Sequence, residues 1–107
     1  MTKNIEEILK NGADVVHTCG HINDTIFWIK EEISEPTPIN HIDGWVSKIQ
    51  RCLNGLQDYS IKYPESRFIK TSIRDVFSNA KDYLPDNIYK QIRKSYRIYS
   101  KEAAKKQ

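Results

Sequence analysis

The sequence predicts an all-α protein built as an up-and-down antiparallel four-helix bundle. Apolar residues recur three or four positions apart almost throughout the chain, which is the period of an α-helix and not that of a strand. Prolines at positions 36, 38, 64 and 85 separate the periodic stretches, and only 4 glycines are present. Short connections of this kind favour antiparallel neighbours. We therefore expect a single domain over residues 1–107, with helices at about 2–34, 38–63, 66–83 and 86–104.

The first helix is predicted by the longest periodic stretch. Its apolar positions step by three and four over residues 5–33, the seam of a helix packed lengthwise on its neighbours. Gly20 costs about 1 kcal/mol relative to alanine within a helix, so we expect a bend there. Pro36 should end the helix because the residue before a proline avoids helical backbone. Thr37 is then placed to cap the second helix.

The other three helices repeat the same spacing. Helix 2 has Trp45 and Ile49 on its seam, where we expect both to be core residues, and it should stop at Pro64. Helix 3 should end before Pro85, and helix 4 opens at Asp86, a favourable N-cap residue.

The composition places the chain among globular proteins, with 38% hydrophobic and 29% charged residues. The longest apolar run, residues 26–29, is far shorter than a membrane span. The acidic start of the chain does not resemble an export signal. Two cysteines without metal-type spacing indicate a reducing compartment. We expect a cytoplasmic protein that has no membrane partner.

The two cysteines are predicted to meet. Folding helix 2 back on helix 1 about residue 36 brings Cys19 and Cys52 to the same height on the two inner seams. We expect them to be close neighbours in the core, where they act as small hydrophobic residues. A redox-sensitive pair is the alternative interpretation.

Metal binding is considered because His17 and His21 share a helix face, as zinc ligands often do. Asp14 is the only further residue placed to join them, whereas a zinc site needs a third and usually a fourth ligand. We interpret this stripe as a solvated face and expect neither a metal site nor a cofactor.

Catalytic motifs are absent from the sequence, which holds no nucleophile elbow, phosphate loop or metal triad at the required spacing. Glu31, Glu32 and Glu35 resemble the magnesium-binding acidic helices of helical nucleotide pyrophosphohydrolases. The second acidic helix of such a site is missing. We therefore predict no catalytic residues, and a helical nucleotide hydrolase is the least favoured alternative.

Positive charge is concentrated towards the end of the chain. Residues 65–107 hold 11 Lys or Arg and 5 Asp or Glu, whereas residues 1–64 hold 6 and 9. On a helical wheel, the outward side of helix 4 carries Arg93, Lys94, Arg97 and Lys101, with Tyr89 and Tyr96 at its margin. Like charges four residues apart weaken a helix. Binding of an acidic partner or of phosphate groups would explain why helix 4 nevertheless carries these like charges.

An alternative explanation needs no partner. If helix 4 lies beside helix 1, its cations neutralise acidic residues of helix 1, among them Glu6, Glu7, Glu31 and Glu32. Such surface pairs are worth only about 0–1 kcal/mol each, but they help to decide which helices become neighbours.

Trp28 is the second candidate for a binding surface. In a regular helix 1 it points outward, as aromatic hot spots at interfaces do. A bend at Gly20 would instead turn it into the core.

We expect a small non-enzymatic interaction protein, a regulator, inhibitor or immunity-type factor of the kind that phages and plasmids encode. It would bind an acidic protein surface through the basic, tyrosine-edged face of helix 4 and through Trp28. Binding of nucleic acid by the same face is the alternative, although a net charge of +3 is low for a dedicated binder. Pairing of two copies through the outward face of helix 1 is a further arrangement that the sequence allows.

Overall fold

The computed structural model describes the backbone of residues 5–105 and the side chains of residues 10–105. It contains α1 (Ile5–Ser34), α2 (Ile42–Lys62), α3 (Arg67–Tyr83) and α4 (Asp86–Lys105), with no strand in that part of the chain. The prediction of an all-α four-helix bundle is confirmed. The predicted start of helix 1 at residue 2 lies outside the described residues. α1 continues as α-helix through Gly20.

The connection between α1 and α2 is longer than the sequence indicated. α2 begins at Ile42 and not at residue 38, and Thr37 does not cap it. Instead, the Thr37 backbone N–H and hydroxyl donate to the two carboxylate oxygens of Glu32, at 3.1 and 2.7 Å. The Asn40 side chain accepts from the Ile42 N–H at 2.8 Å and turns the chain into α2. Both hydrogen bonds to Glu32 hold the connection against the end of α1.

α1 and α2 pack antiparallel in the predicted register. Near the start of α1, the Tyr59 hydroxyl donates to Asp14 at 3.1 Å. Near its end, the rings of Trp28 and Trp45 lie 6.0 Å apart. α1 also packs against α3, which runs parallel to it, and the Asn79 side-chain amide donates to the side-chain oxygen Oδ1 of Asn23 at 3.0 Å.

α4 lies beside α2 and α3, and not beside α1. No Cα atom of α4 comes within 8 Å of one in α1 over the described helices. The hydroxyls of Tyr96 and Tyr99 donate to Gln57 and Asp58 of α2, both at 2.5 Å. The expectation that helix 4 neighbours helix 1 is therefore wrong. The side chains of Glu6 and Glu7 lie outside the described residues.

The core is formed by aliphatic side chains from all four helices. Its members are Val15, Ile22, Ile26, Ile29, Val46, Ile49, Leu53, Leu56, Ile69, Ile73, Val76, Ala80, Leu84 and Ile92. Two seam positions differ from expectation. Ile33 is 42% exposed, because the residues opposite it belong to the connection that precedes α2 and not to α2 itself. Trp45 is only partly buried, since it lies at the edge of the α1–α2 contact against Trp28.

Cys19 and Cys52 are free thiols, and both are only partly buried. Burial raises the pKa of each thiol. Cys19 lies where α1 meets α3, near Ser72 and Asp75, whereas Cys52 lies close to Lys48 of its own helix. Both thiols pack against the core without being fully enclosed by it, so the expectation that they are buried core residues is wrong. That the two cysteines are close neighbours stays a prediction.

Within the described residues, no helix combines the length and the apolar character that crossing a bilayer requires.

Candidate partner-binding groove

α3 and α4 face each other across a groove of about 330 Å³, which we call the basic groove. It is lined by Lys70, Ile73, Arg74, Phe77, Arg93, Tyr96, Arg97 and Ser100. Half of these residues carry a positive charge, and none carries a negative one. The groove therefore presents a concentrated positive potential to solvent.

Helical spacing places the four cations. On α3 the buried residues Ile69 and Ile73 turn one side towards the core, which leaves Lys70 and Arg74 on the flank that faces α4. On α4 the buried Ile92 fixes the rotation in the same way. Arg93 and Arg97 then lie on the flank facing α3, again four residues apart. Each wall of the groove thus holds a like-charged pair separated by one helical turn.

Aromatic residues form the base of the groove. The Phe77 and Tyr96 rings meet edge to face, with centroids 5.0 Å apart and an interplanar angle of 71°. The Arg93 guanidinium lies 5.5 Å from the Phe77 centroid, and it donates to the Tyr89 hydroxyl at 3.2 Å. Burial raises the pKa of the Tyr96 phenol, so this group stays neutral and donates to Gln57. These contacts hold Arg93 and both rings in place.

Few carboxylates oppose the positive charge of the groove. Arg74 lies 4.0 Å from Asp75, and both side chains are well exposed. Within the described part of the chain, Lys70, Arg93 and Arg97 take part in no ion pair. The groove cations are therefore available to an acidic group from outside.

The structure brings together only some of the residues predicted for the site. Arg93, Tyr96 and Arg97 line the groove, and Tyr89 holds Arg93. Lys94 and Lys101 are exposed on α4 but lie outside the lining. Trp28 is on α1, which does not contact α4 over the described residues, and its ring packs against Trp45. It therefore does not belong to this site.

Sequence reasoning missed the wall that α3 contributes. Lys70, Arg74 and Phe77 follow one another at spacings of four and three, which places them on one helix flank. The signal was therefore present in the sequence. A helical wheel of α3 alone does not say that this flank faces α4.

The residues considered as metal ligands lie on α1 and do not converge on a common point. The His17 and His21 rings meet edge to face at 4.8 Å, and both are exposed. Asp14 turns instead towards α2, where it accepts from the Tyr59 hydroxyl. Among residues 10–105, no group of three or more His, Cys, Asp or Glu side chains is arranged to hold a metal ion.

Comparisons with models of protein families, with curated proteins and with solved structures give no match to this chain.

Proposed function

We propose that this protein is a small non-enzymatic regulator or inhibitor that acts by binding an acidic segment of a partner protein in the basic groove. One observation carries the proposal. Two like-charged pairs, Lys70 with Arg74 and Arg93 with Arg97, face each other around an aromatic base with no carboxylate in the lining. An acidic segment would neutralise all four charges at once.

The cost of this arrangement to the protein supports an external partner. Each like-charged pair four residues apart destabilises its helix by about 0.2–0.5 kcal/mol. For Arg93 and Arg97, neutralisation by the described acidic residues of α1 is not available, because over the described helices no Cα atom of α4 comes within 8 Å of one in α1. Apart from the contacts of Arg93 with Phe77 and Tyr89 and the exposed ion pair of Arg74 with Asp75, the cations bring no evident benefit to the fold.

A protein partner is favoured over nucleic acid because the aromatic rings of the groove do not present open faces for stacking. Proteins that bind single-stranded nucleic acid without sequence preference stack bases on open ring faces. Here the Arg93 guanidinium covers Phe77, and Tyr96 meets Phe77 edge to face. The rings thus offer apolar contact area at the base of a charged groove, which suits an acidic segment with an apolar anchor.

The test is affinity capture from the native cell with two matched double variants. Arg93→Glu/Arg97→Glu changes the groove, and Lys94→Glu/Lys101→Glu makes the same charge change on α4 outside it. We expect the wild type and the Lys variant to retain the same protein after nuclease treatment. The Arg variant should bind that protein about tenfold more weakly or worse, because it replaces attraction by repulsion at two positions.

Two results would contradict the proposal. Loss of the captured partner on nuclease treatment would assign the groove to nucleic acid. Equal weakening by both variants would show that net charge alone governs binding. Circular dichroism on each variant checks that the helices are intact.

A further inference from the structure

A second cavity, far richer in carboxylates than the basic groove, lies where α1 ends and α2 begins. It has a volume of about 640 Å³, and we call it the tryptophan cavity. It is lined by Phe27, Trp28, Lys30, Glu31, Glu32, Ser34, Glu35, Thr37 and Trp45. The proposed function makes no use of it.

Aromatic rings form one side of the tryptophan cavity. The Trp28 and Trp45 rings are 6.0 Å apart and tilted by 49°, so they form two inclined walls. Phe27 and Trp28 are 53% and 43% exposed, which is high for such large apolar side chains. Indole rings attract cations to their faces more strongly than other aromatic side chains do.

Carboxylates form the other side. Glu31 and Glu35 are exposed and form no ion pair within the described residues. Glu32 is buried, and its two carboxylate oxygens are fixed by the hydroxyl and the N–H of Thr37. Lys30 also lines the cavity, but its ammonium group lies over the Tyr83 ring of α3, 5.0 Å from the centroid. The lining thus carries an excess of negative charge.

Lys48 already makes a cation–π contact with one of the two tryptophan rings. The Lys48 ammonium group lies 5.1 Å from the centroid of Trp28, within the range of a cation–π contact. The Trp28 ring is therefore oriented so that a positive charge can reach it. Lys48 is not part of the cavity lining, so the cavity itself is left with aromatic rings and carboxylates.

We propose that the tryptophan cavity binds an organic cation, either a guanidinium group such as an arginine side chain or an alkylated ammonium group. The aromatic walls contact the apolar surface of such a cation and attract its charge. Glu31 and Glu35 supply the opposite charge at the rim. Small inorganic cations would gain less from the rings, because they hold their hydration water more tightly.

The two indole N–H signals in a ¹⁵N–¹H correlation spectrum report on the cavity directly, since the chain contains only 2 tryptophans. The probes are N-acetylarginine amide, tetramethylammonium chloride and the uncharged N-acetylcitrulline amide, added at constant ionic strength. We expect at least one of the two cations to shift both signals in a saturable way, and citrulline to have no such effect. The cation that binds more tightly shows whether the natural ligand carries a guanidinium group or an alkylated ammonium group.

A pair of matched double variants tests the carboxylates. Glu31→Gln/Glu35→Gln should weaken cation binding about fivefold or more, since two exposed ion pairs are lost. Asp82→Asn/Glu102→Gln makes the same charge change at exposed positions outside the cavity lining and should leave the dissociation constant unchanged. The remainder of the spectrum shows whether each variant is folded.

Lys48→Gln should tighten binding, because it removes a competing charge from the Trp28 ring. The proposal is overturned if neither cation gives saturable shifts or if citrulline binds equally well. It is also overturned if the control pair weakens binding as much as the glutamate pair. Unchanged or weaker binding by Lys48→Gln would contradict the use of the Trp28 ring.

Discussion

Arg97→Glu should make the isolated protein more stable while it impairs the proposed function. Arg97 is exposed, forms no ion pair among the described residues, and lies four residues from both Arg93 and Lys101. The substitution converts two repulsive pairs into two attractive ones. The interaction free energy of each pair then becomes more favourable by about 0.4–1 kcal/mol, because repulsion and attraction at this spacing are each worth about 0.2–0.5 kcal/mol.

After allowance for solvent screening at this exposed site, we expect a gain of about 1 kcal/mol in the free energy of unfolding. For a domain of this size, that raises Tm by roughly 4–8 °C. Arg97→Gln removes the repulsion without adding attraction and should give about half of that gain. Both gains should shrink in 1 M salt, where the Debye length falls to about 3 Å.

The assay is chemical denaturation followed by circular dichroism, at low and at high salt. A loss of stability on Arg97→Glu would contradict this prediction, because it would mean that the fold uses the positive charge of Arg97. A gain that persists unchanged in 1 M salt would show that the effect is not electrostatic.

Two further substitutions test the packing described above. Leu56→Ala, at a fully buried position, should reduce the free energy of unfolding by about 2–5 kcal/mol in urea denaturation, whereas Ile98→Ala at a 53% exposed position should change it by less than about 0.5 kcal/mol; similar losses at both positions would contradict the described core. Tyr96→Phe removes the hydrogen bond to Gln57 and should cost about 1 kcal/mol at pH 7. Because burial raises the pKa of Tyr96 in the folded protein, its contribution is present below the ordinary tyrosine pKa of 10.0 and is lost as pH rises above it. A pH titration of unfolding should therefore show a shallower alkaline loss for Tyr96→Phe than for the wild type, and parallel curves would contradict this assignment.

Local features of the fold were predictable because their causes are local. Pro64 and Pro85 bound helices that end within about two residues of the expected positions, and Ser66 accepts from the Ile69 N–H at 3.3 Å as an N-cap should. The register of α1 on α2 followed from one connection. The start of α2 was misplaced because the hydrogen bonds of Thr37 to Glu32 and of Asn40 to Ile42 compete with capping at Thr37.

The candidate site was only half predictable, for a physical reason. A helical wheel gives the direction of Arg93 and Arg97 relative to the core side of their own helix. It does not give the neighbour on that side, because the choice among helices depends on the packing of distant side chains such as Phe77 and Tyr96. For the same reason, the arrangement of α4 next to α2 and not α1 could not be read from the charges of helices 1 and 4.

The attachment of α4 has a consequence for the motions of the protein. Ile92 is the only buried side chain among the described residues of α4, whereas α2 and α3 each contribute four buried side chains. Ile88, Tyr89 and Tyr96 also pack against the core, but detaching α4 removes fewer buried side chains than detaching α2 or α3 would, and it leaves α1, α2 and α3 packed on one another. Backbone amides of α4 should consequently exchange with solvent through a partial opening that needs less free energy than complete unfolding. A ligand that bridges α3 and α4 would suppress this opening, so occupation of the groove and ordering of the last helix are thermodynamically linked.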